Sequence, residues 1–293
     1  MSPLRLWIVA VRPRTLPAAV APVLVGTALA ITADQFGAVA FVAALVGSVF
    51  LQIGTNLAND YSDARRGADT EDRLGPVRVT AGGLMPPRRV LAGTYIAFGV
   101  ACGAGVVLTV IAGPVMLAVG AASIVAGVLY TGGPRPYGYS GLGEVFVFVF
   151  FGVVAVVFTF YAQAESYPWE AFALSVPVGL LASAILVVNN VRDIDTDRRA
   201  GKRTLAVKLG RERARRLFDA MLVVSYLTCI AIPAAGGLTW WTLLPMLSIP
   251  LALALRKTVA TRTDGPALNG ALAAAGRLLG VFSTLLAVGV LAS

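Results

Sequence analysis

Residues 170–199 read EAFALSVPVGLLASAILVVNNVRDIDTDRR, and this stretch combines the two features that decide the fold. The first twenty residues, 170–189, carry a single charge, whereas the ten that follow carry six. An α-helix needs about 20 apolar residues to cross a hydrocarbon layer of about 30 Å. The pattern therefore predicts a membrane-spanning helix that ends in a charged segment at the membrane surface.

The rest of the chain has the same character. Its 293 residues are 57% hydrophobic and 13% charged, with a mean hydropathy of +0.80, which is too apolar for a water-soluble domain. Eight further apolar segments are bounded by charged residues, glycine or proline: 16–33, 38–57, 90–111, 114–131, 143–162, 217–235, 239–255 and 271–292. Together with 170–189 they predict an all-α integral membrane protein, in which residues 1–293 form one domain, a nine-transmembrane-helix bundle.

The chain contains no histidine. This excludes histidine-based catalytic triads, zinc held by histidine and haem with a histidine ligand. Acid-base and metal chemistry must therefore rest on carboxylates, amides, Lys, Arg and Tyr.

The charges indicate the orientation in the membrane. If the nine segments cross in turn, all 24 Lys and Arg residues fall on one face, and the other face holds only Asp34, Glu165 and Glu170 of the 15 acids. The positive-inside rule makes the basic face cytoplasmic, with the N-terminus inside. Residues 1–15 are then expected to form an amphipathic segment at the membrane surface. The basic excess is explained by topology, and we expect no nucleic-acid partner.

Two acidic motifs lie on the basic face at a constant offset. In both, an Asn is followed four residues later by an Asp, and the motifs are 133 positions apart. Residues three or four apart share a helix face, so each motif predicts a row of oxygen ligands. The first row is Asn56, Asp60 and Asp63, and the second is Asn189, Asp193 and Asp197. The repeat predicts two pseudo-equivalent halves, with cytoplasmic Asp-rich loops at 58–89 and 190–216.

Carboxylates clustered at a membrane surface repel one another, and a divalent cation would relieve the repulsion. Oxygen ligands without His or Cys suit Mg²⁺, which often bridges a few carboxylates to substrate phosphates. Basic residues follow both motifs, as a bound diphosphate would require. Two other interpretations stay open. The acids could solvate the loops or pair with neighbouring arginines, or the chain could be a secondary transporter, a class that also has internal repeats and membrane acids.

The sequence around these motifs resembles the UbiA superfamily of intramembrane polyprenyltransferases. The similar stretches are RPRTLPAAVAPVLVGTALA from Arg12, NLANDYSDARRGAD from Asn56, DRLGPVR from Asp72, YTGGPRPYGYSGLGEVFVFVFFG from Tyr130, and NNVRDIDTDRRAGKRTLAVKLG from Asn189. The resemblance implies a nine-helix bundle with two pseudo-equivalent halves. It also implies a multi-pass location in the cell membrane, with the active site facing the cytoplasm.

One position departs from many members of the superfamily. Gly67 occupies the last acidic position of the first motif, and Asp69 follows two residues later. This variant is similar to the branch of the superfamily that prenylates a naphthoate, and it leaves Asp69 open as a metal ligand.

The resemblance also implies roles for individual residues. The family's metal-binding role carries over to Asn56, Asp60, Asp63, Asp193 and Asp197, and the repeat adds Asn189. The expected catalytic residues are Asp60, Asp63, Asp193, Asp197 and Tyr139, with Asp63 or Asp197 as a candidate base. The expected substrate contacts are Arg14, Arg66, Arg73, Arg135, Lys202, Asn59, Tyr130 and Tyr137. The tyrosines are expected to shelter an allyl cation through their ring faces. Surface exposure and interface anchoring are the alternatives for these basic and aromatic side chains.

The reaction implied is transfer of a polyprenyl group from an allylic polyprenyl diphosphate to 1,4-dihydroxy-2-naphthoate. Carbon dioxide and diphosphate would be lost, and demethylmenaquinol, an intermediate of menaquinone biosynthesis, would form. Other acceptors known in the superfamily are alternatives, namely 4-hydroxybenzoate, homogentisate, haem or a chlorophyll precursor. A transporter or a binding protein without chemistry is a more distant alternative. Membrane lipid would surround the protein in each case.

Overall fold

A computed structural model describes residues 1–68 and 74–293, and within these ranges every regular element is helical. The α-helices are α1 Pro3–Val11, α2 Pro17–Thr32, α3 Ala38–Arg65, α4 Pro87–Ala112, α5 Val115–Leu129, α6 Gly143–Val147, α7 Ala155–Ala164, α8 Trp169–Arg192, α9 Ile194–Arg199, α10 Leu205–Leu209, α11 Arg211–Ala234, α12 Ile249–Thr261 and α13 Gly265–Leu291. Short 3₁₀ helices occupy Pro13–Thr15, Tyr137–Ser140 and Trp240–Ser248, and a π-helix occupies Phe148–Val154. The all-α prediction is confirmed.

Each of the nine apolar segments predicted from the sequence coincides with helix in the structure. In the part of the chain that is described, seven helical segments are long and apolar enough to cross a membrane: Ala38–Arg65, Pro87–Ala112, Gly143–Ala164, Trp169–Arg192, Arg211–Ala234, Trp240–Thr261 and Gly265–Leu291. The segments Pro3–Thr15 and Pro17–Thr32 qualify together as a pair bent by 52°, and α5 is apolar but has only 15 residues. The membrane bundle is confirmed, whereas the count of nine spans and their orientation stay predictions.

Both acidic motifs lie at or next to helix ends, as the sequence predicted, but the segments predicted as loops are partly helical. Because α3 has 28 residues, it is about 42 Å long and exceeds a hydrocarbon thickness of about 30 Å. Asp60 and Asp63 therefore lie on the last turns of α3 and not in a loop that begins at residue 58. The short helices α9 and α10 likewise occupy part of the second predicted loop, and α11 begins at Arg211.

The larger part of the core is built around α8. This helix packs against α11 and α13, and α13 packs in turn against α2. Val178, Phe218 and Phe282 are among the side chains that these contacts bury completely. Helices α3, α4 and α5 pack against one another and meet the larger core through α2 and α7. The two helices that carry the acidic motifs, α3 and α8, thus face each other across a cavity.

The π-helix lies at a close helix crossing. Gly152 on the π-helix and Gly179 on α8 approach so closely that a Cβ on Gly152 would lie 2.6 Å from the Gly179 Cα. The same Cβ would lie 2.9 Å from the carbonyl oxygen of Ser175. Small residues at helix crossings in membranes allow such approaches. The segment also contributes Phe150 and Phe151 to the cavity wall, so this crossing helps to shape the cavity.

Gly152→Ala should destabilise the bundle, because the added methyl group has no space beside Gly179. Overpacking of this kind costs about 1–3 kcal/mol, and each kcal/mol lowers the Tm of a chain of this size by about 2–4 °C. A thermal-shift measurement on the protein purified in detergent tests this. Gly99→Ala on α4 is the matched control, because a Cβ there meets nothing within 4 Å. Equal Tm values for the two variants would contradict the close crossing.

Candidate active site

A largely apolar cavity of about 320 Å³ lies between α3 and α8. Its wall follows α3 from Asp63 to Ala44, which corresponds to about 28 Å of helix, nearly the thickness of the hydrocarbon layer. The deep wall consists mainly of small, aliphatic and aromatic side chains, including Ala44, Gly47, Ala101, Gly105, Leu108, Met116, Val119, Phe150, Phe151 and Phe158. Charged side chains line the mouth of the cavity, where α3 and α8 end: Arg12, Asp63, Arg78, Asp193, Asp197 and Lys202.

Lys202 connects the carboxylates of the two acidic motifs. Its Nζ lies 3.9 Å from Asp63 Oδ2 and 4.0 Å from Asp197 Oδ1. Asp63 also accepts a hydrogen bond of 2.6 Å from the Tyr139 hydroxyl and one of 3.3 Å from Arg78. The Lys202 ammonium lies 4.9 Å from the centre of the Tyr139 ring. Asp63, Asp197 and Lys202 are all buried, so these charges depend on one another for stability.

Arg192 fixes the orientation of Asp193. Its Nε and Nη2 donate to the two Asp193 carboxylate oxygens at 2.7 and 2.5 Å. Nη2 also donates to Asn189 Oδ1, and Nη1 donates to Asn269 Oδ1, both at 2.8 Å. Asn269 on α13 donates in turn to the carbonyl oxygen of Leu74 at 2.9 Å. The second acidic motif, α13 and the segment that follows the first motif are therefore held in one hydrogen-bond network.

Asp60 lies in a different environment from the other three aspartates of the motifs. Its carboxylate oxygens accept the backbone N–H groups of Val79 at 3.1 Å and Thr80 at 2.9 Å. The side chain is buried and does not line the cavity. The structure therefore does not place Asp60 in the cavity wall beside Asp63, and its role as a metal ligand stays a prediction. The Asp60 carboxylate is used to hold the segment that carries Arg78, and in this way it positions Arg78 beside Asp63.

Asn56 stabilises the turn that carries Arg12. Its Nδ2 donates to the Val11 carbonyl oxygen and to Thr15 Oγ1, both at 3.0 Å, and Gln52 donates to the same Thr15 oxygen at 3.0 Å. Arg12 has a left-handed backbone with φ of 59°, which is uncommon for a residue other than glycine. This turn brings Arg12 to the cavity mouth. The Asn56 amide nitrogen is thus structural, and only its oxygen is available as a metal ligand.

Three of the predicted substrate-binding arginines lie outside the cavity. Arg14, Arg66 and Arg135 are exposed and do not line its wall. Their positions near the motifs were correctly recognised, but the direction of a long side chain depends on packing that the sequence does not show. Arg73 lies outside the described residues. Lys202 is the one predicted basic contact that the described structure places in the cavity wall.

Arg12 and Arg78 also line the mouth of the cavity, although neither was among the expected substrate contacts. Both belong to stretches that carry the family resemblance, since Arg12 opens the first stretch and Arg78 closes DRLGPVR. That position within a motif was the available signal. Asn59, which was predicted to contact substrate, does line the cavity, and its Oδ1 accepts the Thr131 hydroxyl at 3.0 Å.

Tyr130, Tyr137 and Phe146 form an aromatic wall beside the mouth. Tyr137 stacks on Phe146 with a centroid distance of 3.9 Å and an interplanar angle of 21°, and it meets Tyr130 edge to face at 5.5 Å. The Tyr137 hydroxyl donates to the Ala126 carbonyl oxygen at 2.8 Å, and this hydrogen bond holds the ring in the cavity wall. Burial raises the pKa of Tyr137, and this phenol therefore stays protonated at neutral pH.

The donor set at the mouth fits Mg²⁺. Among residues 1–68 and 74–293, no three Asp, Glu, Cys or His side chains converge into a ready metal cluster. However, Mg²⁺ is usually held by one or two carboxylates together with substrate phosphates and water. Asp63, Asp193 and Asp197 supply hard oxygen ligands, and the Lys202 ammonium already lies between two of them. These residues suit a metal that arrives together with a diphosphate.

The fold and the site define a class: an integral membrane enzyme with a deep apolar cavity that opens at a charged mouth. The chain belongs to the UbiA prenyltransferase family, whose sequence profile matches residues 19–275. The family resemblance found in the sequence is thereby confirmed.

Individual relatives agree with this assignment. The chain is 45% identical over 266 residues to a 1,4-dihydroxy-2-naphthoate octaprenyltransferase of Mycobacterium tuberculosis, covering 90% of this chain and 86% of that protein. It is 38% identical over 270 residues to the Escherichia coli protein of the same name, covering 90% and 87%. The solved structure of a UbiA homologue from Archaeoglobus fulgidus, bound to GPP and Mg²⁺, matches with a TM-score of 0.66 at 18% identity. That match covers 98% of this chain and 100% of the other, and it shows the same fold.

Asp60→Asn should loosen the segment around Arg78. An asparagine can accept one of the two backbone N–H groups but turns its own NH₂ toward the other, which leaves a buried donor unsatisfied at a cost of about 1–3 kcal/mol. A lower Tm and faster limited proteolysis within 74–85 are expected. Asp195→Asn is the control, because Asp195 is exposed on α9 and should tolerate the change. Unchanged Tm and proteolysis in Asp60→Asn would show that the carboxylate does not hold this segment.

Proposed function

We propose that this protein transfers a polyprenyl group from an allylic polyprenyl diphosphate to 1,4-dihydroxy-2-naphthoate. Carbon dioxide and diphosphate are released, and the product is demethylmenaquinol, an intermediate of menaquinone biosynthesis. The observation that carries the proposal is the placement of Asp63 and Asp197, one from each acidic motif, on one cation at the mouth of an apolar cavity. The similarity to naphthoate octaprenyltransferases over most of the chain supports the choice of acceptor.

The diphosphate head is expected at the charged mouth. Arg12, Arg78 and Lys202 line this end of the cavity and offer charge-assisted hydrogen bonds to phosphate oxygens. The Arg78 guanidinium and the Lys202 ammonium already contact Asp63, so both groups are positioned before substrate arrives.

Asp63, Asp193 and Asp197 are the residues that would hold Mg²⁺. When bound, the metal neutralises the diphosphate and makes it a better leaving group. Arg192 keeps both Asp193 oxygens at fixed positions through its paired hydrogen bonds. Asn56 and Asn189 stay candidates as oxygen ligands, although the Asn189 oxygen already accepts a hydrogen bond from Arg192.

The deep cavity suits the prenyl chain. Its wall of small, aliphatic and aromatic residues runs along α3 over about 28 Å and offers no charged group below the mouth in the described part of the chain. An apolar tail that fills this space excludes water. Exclusion of water protects a reactive allyl cation from hydrolysis.

The transfer step neither consumes nor releases a proton overall. The allylic carbon–oxygen bond breaks, and its electron pair leaves with the diphosphate. The ring carbon that bears the carboxylate supplies the electron pair of the new carbon–carbon bond, and loss of carbon dioxide returns an electron pair to the ring. The aromatic side chains of Tyr130, Tyr137 and Phe146 line this part of the cavity and would stabilise the intervening positive charge. Tyr139 donates its hydroxyl to Asp63 and so holds that carboxylate in place.

Prenyl transfer by the protein purified in detergent tests the proposal. Product and carbon dioxide are expected with 1,4-dihydroxy-2-naphthoate, but not with 4-hydroxybenzoate, and only when Mg²⁺ is present. Asp63→Ala and Asp193→Ala should each lower kcat/KM by about 10²-fold or more, because each removes a carboxylate at the mouth. Asp195→Ala should keep wild-type activity, since Asp195 is exposed and pairs with Arg211 outside the cavity.

Each contrary result has a distinct meaning. Product with hydroxybenzoate alone would overturn the naphthoate acceptor but keep the diphosphate site. An absence of product with every aromatic acceptor would overturn the proposed prenyl transfer.

The protein is a multi-pass membrane protein, and we infer that the cavity mouth faces the cytoplasm because the basic residues flank it. Single cysteines in a background without Cys102 and Cys229 test this. Thr263→Cys, between α12 and α13, should react with a membrane-impermeant maleimide only after cells are opened. Gln35→Cys, between α2 and α3, should react in intact cells. The reverse pattern would contradict the orientation.

A further inference from the structure

Glu144 is a carboxylate buried at the start of the membrane helix that forms one side of the cavity. It is the second residue of α6 and is 4% exposed. Its Oε1 accepts a hydrogen bond of 2.9 Å from Asn190 Nδ2. Its Oε2 is buried and has no hydrogen-bond partner in the described part of the chain. An ionisable group inside a membrane protein is costly, so its presence calls for a function that its partner shares.

Helix α8 fixes the position of Glu144 at two levels. Ser183 Oγ donates to the Glu144 carbonyl oxygen at 3.0 Å, and Asn190 binds the Glu144 side chain. Ser183 and Asn190 are seven residues apart, so they lie on the same face of α8. The carboxylate is therefore held against α8 and is not free to turn into the cavity.

Asn190 connects this carboxylate to the cavity. It is 5% exposed and lines the cavity wall, three residues before Asp193 on the same helix. Because Asn190 Nδ2 donates to Glu144 Oε1, the amide nitrogen of Asn190 faces Glu144. The Asn190 Oδ1 is then directed away from Glu144, and no hydrogen bond to this oxygen is found among the described residues. Glu144 thus sets the orientation of an acceptor group at the cavity surface.

Tyr130 is next to this pair. A Cβ on Gly143 would lie 3.3 Å from Tyr130 Cε2 and 3.7 Å from the Tyr130 hydroxyl oxygen, so the ring lies against the residue before Glu144. A phenol is protonated at neutral pH, so the Tyr130 hydroxyl can donate a hydrogen bond. A donor hydroxyl, an acceptor amide oxygen and the aromatic wall then meet on one side of the cavity. Together they suit a planar aromatic ring that carries hydroxyl groups.

We propose that the Asn190 amide oxygen binds a hydroxyl group of the aromatic acceptor, and that Glu144 is the positioning residue that holds the amide in this orientation. The inference rests on the proposed prenyl transfer and names its acceptor subsite. Asn190 lies one helical turn deeper than Asp193, between the charged mouth and the apolar depth. That is the level at which a ring must lie to meet the allylic carbon of a diphosphate bound at the mouth.

Steady-state kinetics of Asn190→Ala test the subsite. The KM for 1,4-dihydroxy-2-naphthoate is expected to rise about tenfold, the usual effect of losing one buried hydrogen bond, while the KM for the prenyl diphosphate changes less than about twofold. Ser175→Ala is the matched control, because it removes another buried side-chain hydrogen bond of α8, to the Phe172 carbonyl oxygen, without touching Glu144, Asn190 or the cavity wall. It should change neither KM by more than about twofold.

Inhibition by naphthoates that lack one hydroxyl distinguishes a role of Asn190 in binding the acceptor from a purely structural role. Wild-type protein should bind the analogue lacking the recognised hydroxyl about tenfold more weakly than the other analogue, and Asn190→Ala should bind the two equally. A purely structural role for Asn190 would leave this ratio unchanged.

A reciprocal exchange tests the role of Glu144. Asn190→Asp places two carboxylates against each other and should raise the acceptor KM by more than Asn190→Ala does. The double variant Glu144→Gln with Asn190→Asp restores a donor and an acceptor across the contact and again directs an oxygen to the cavity. Its acceptor KM should return to within about threefold of the wild-type value.

The subsite alone would be overturned by an active wild-type protein in which Asn190→Ala leaves the acceptor KM and the inhibitor ratio unchanged. It would also be overturned if both KM values rose together, or if the double variant failed to recover. A wild-type protein that prenylates no naphthoate would overturn the proposed function, and the subsite with it.

Discussion

Two acidic helix ends face each other across an apolar cavity, and a lysine ammonium balances the repulsion between them. Lys202 lies about equally far from Asp63 of the first motif and Asp197 of the second. Since all three groups are buried, removing the Lys202 cation would take away a charge that both carboxylates share, and this is destabilising in such surroundings even though Arg78 stays beside Asp63. The spacing between α3 and α8, and therefore the width of the mouth, depends on this contact. A metal bound with a diphosphate would supply the same compensation and release Lys202 to the phosphate.

The position of Lys202 is itself secured by its neighbours in the chain. The backbone N–H of Arg203 donates to the Tyr139 carbonyl oxygen at 2.9 Å, and Lys208 Nζ donates to the Ser140 carbonyl oxygen at 2.6 Å. The segment after the second motif is thus joined to the segment that carries Tyr139, which in turn contacts Asp63. Lys202, Asp63 and Tyr139 are therefore held together, and displacement of one of these side chains would displace the other two.

Much of this architecture could be predicted from the sequence, because membrane helices are recognised by long runs of apolar residues. The nine apolar segments and the position of the acidic motifs at helix ends follow from hydropathy and spacing. The role of each side chain does not follow from hydropathy and spacing, because it depends on the residues that pack around it in the folded protein. Asp60 repeats the spacing of a ligand, yet it binds backbone N–H groups of a segment nineteen and twenty residues later. Arg12 reaches the mouth through a left-handed turn that its own sequence gives no reason to expect.

The length of α3 has a consequence for how the prenyl diphosphate reaches the active site. This helix is longer than the hydrocarbon layer, and its acidic end projects into the headgroup region, where the diphosphate of a membrane-dissolved lipid also lies. Such a substrate reaches the site by lateral diffusion and does not have to leave the bilayer. The quantity that governs saturation is then its mole fraction in the surrounding lipid or detergent, and not its concentration in bulk solution. The same amount of prenyl diphosphate will appear as a weaker substrate when excess detergent dilutes it within the micelles.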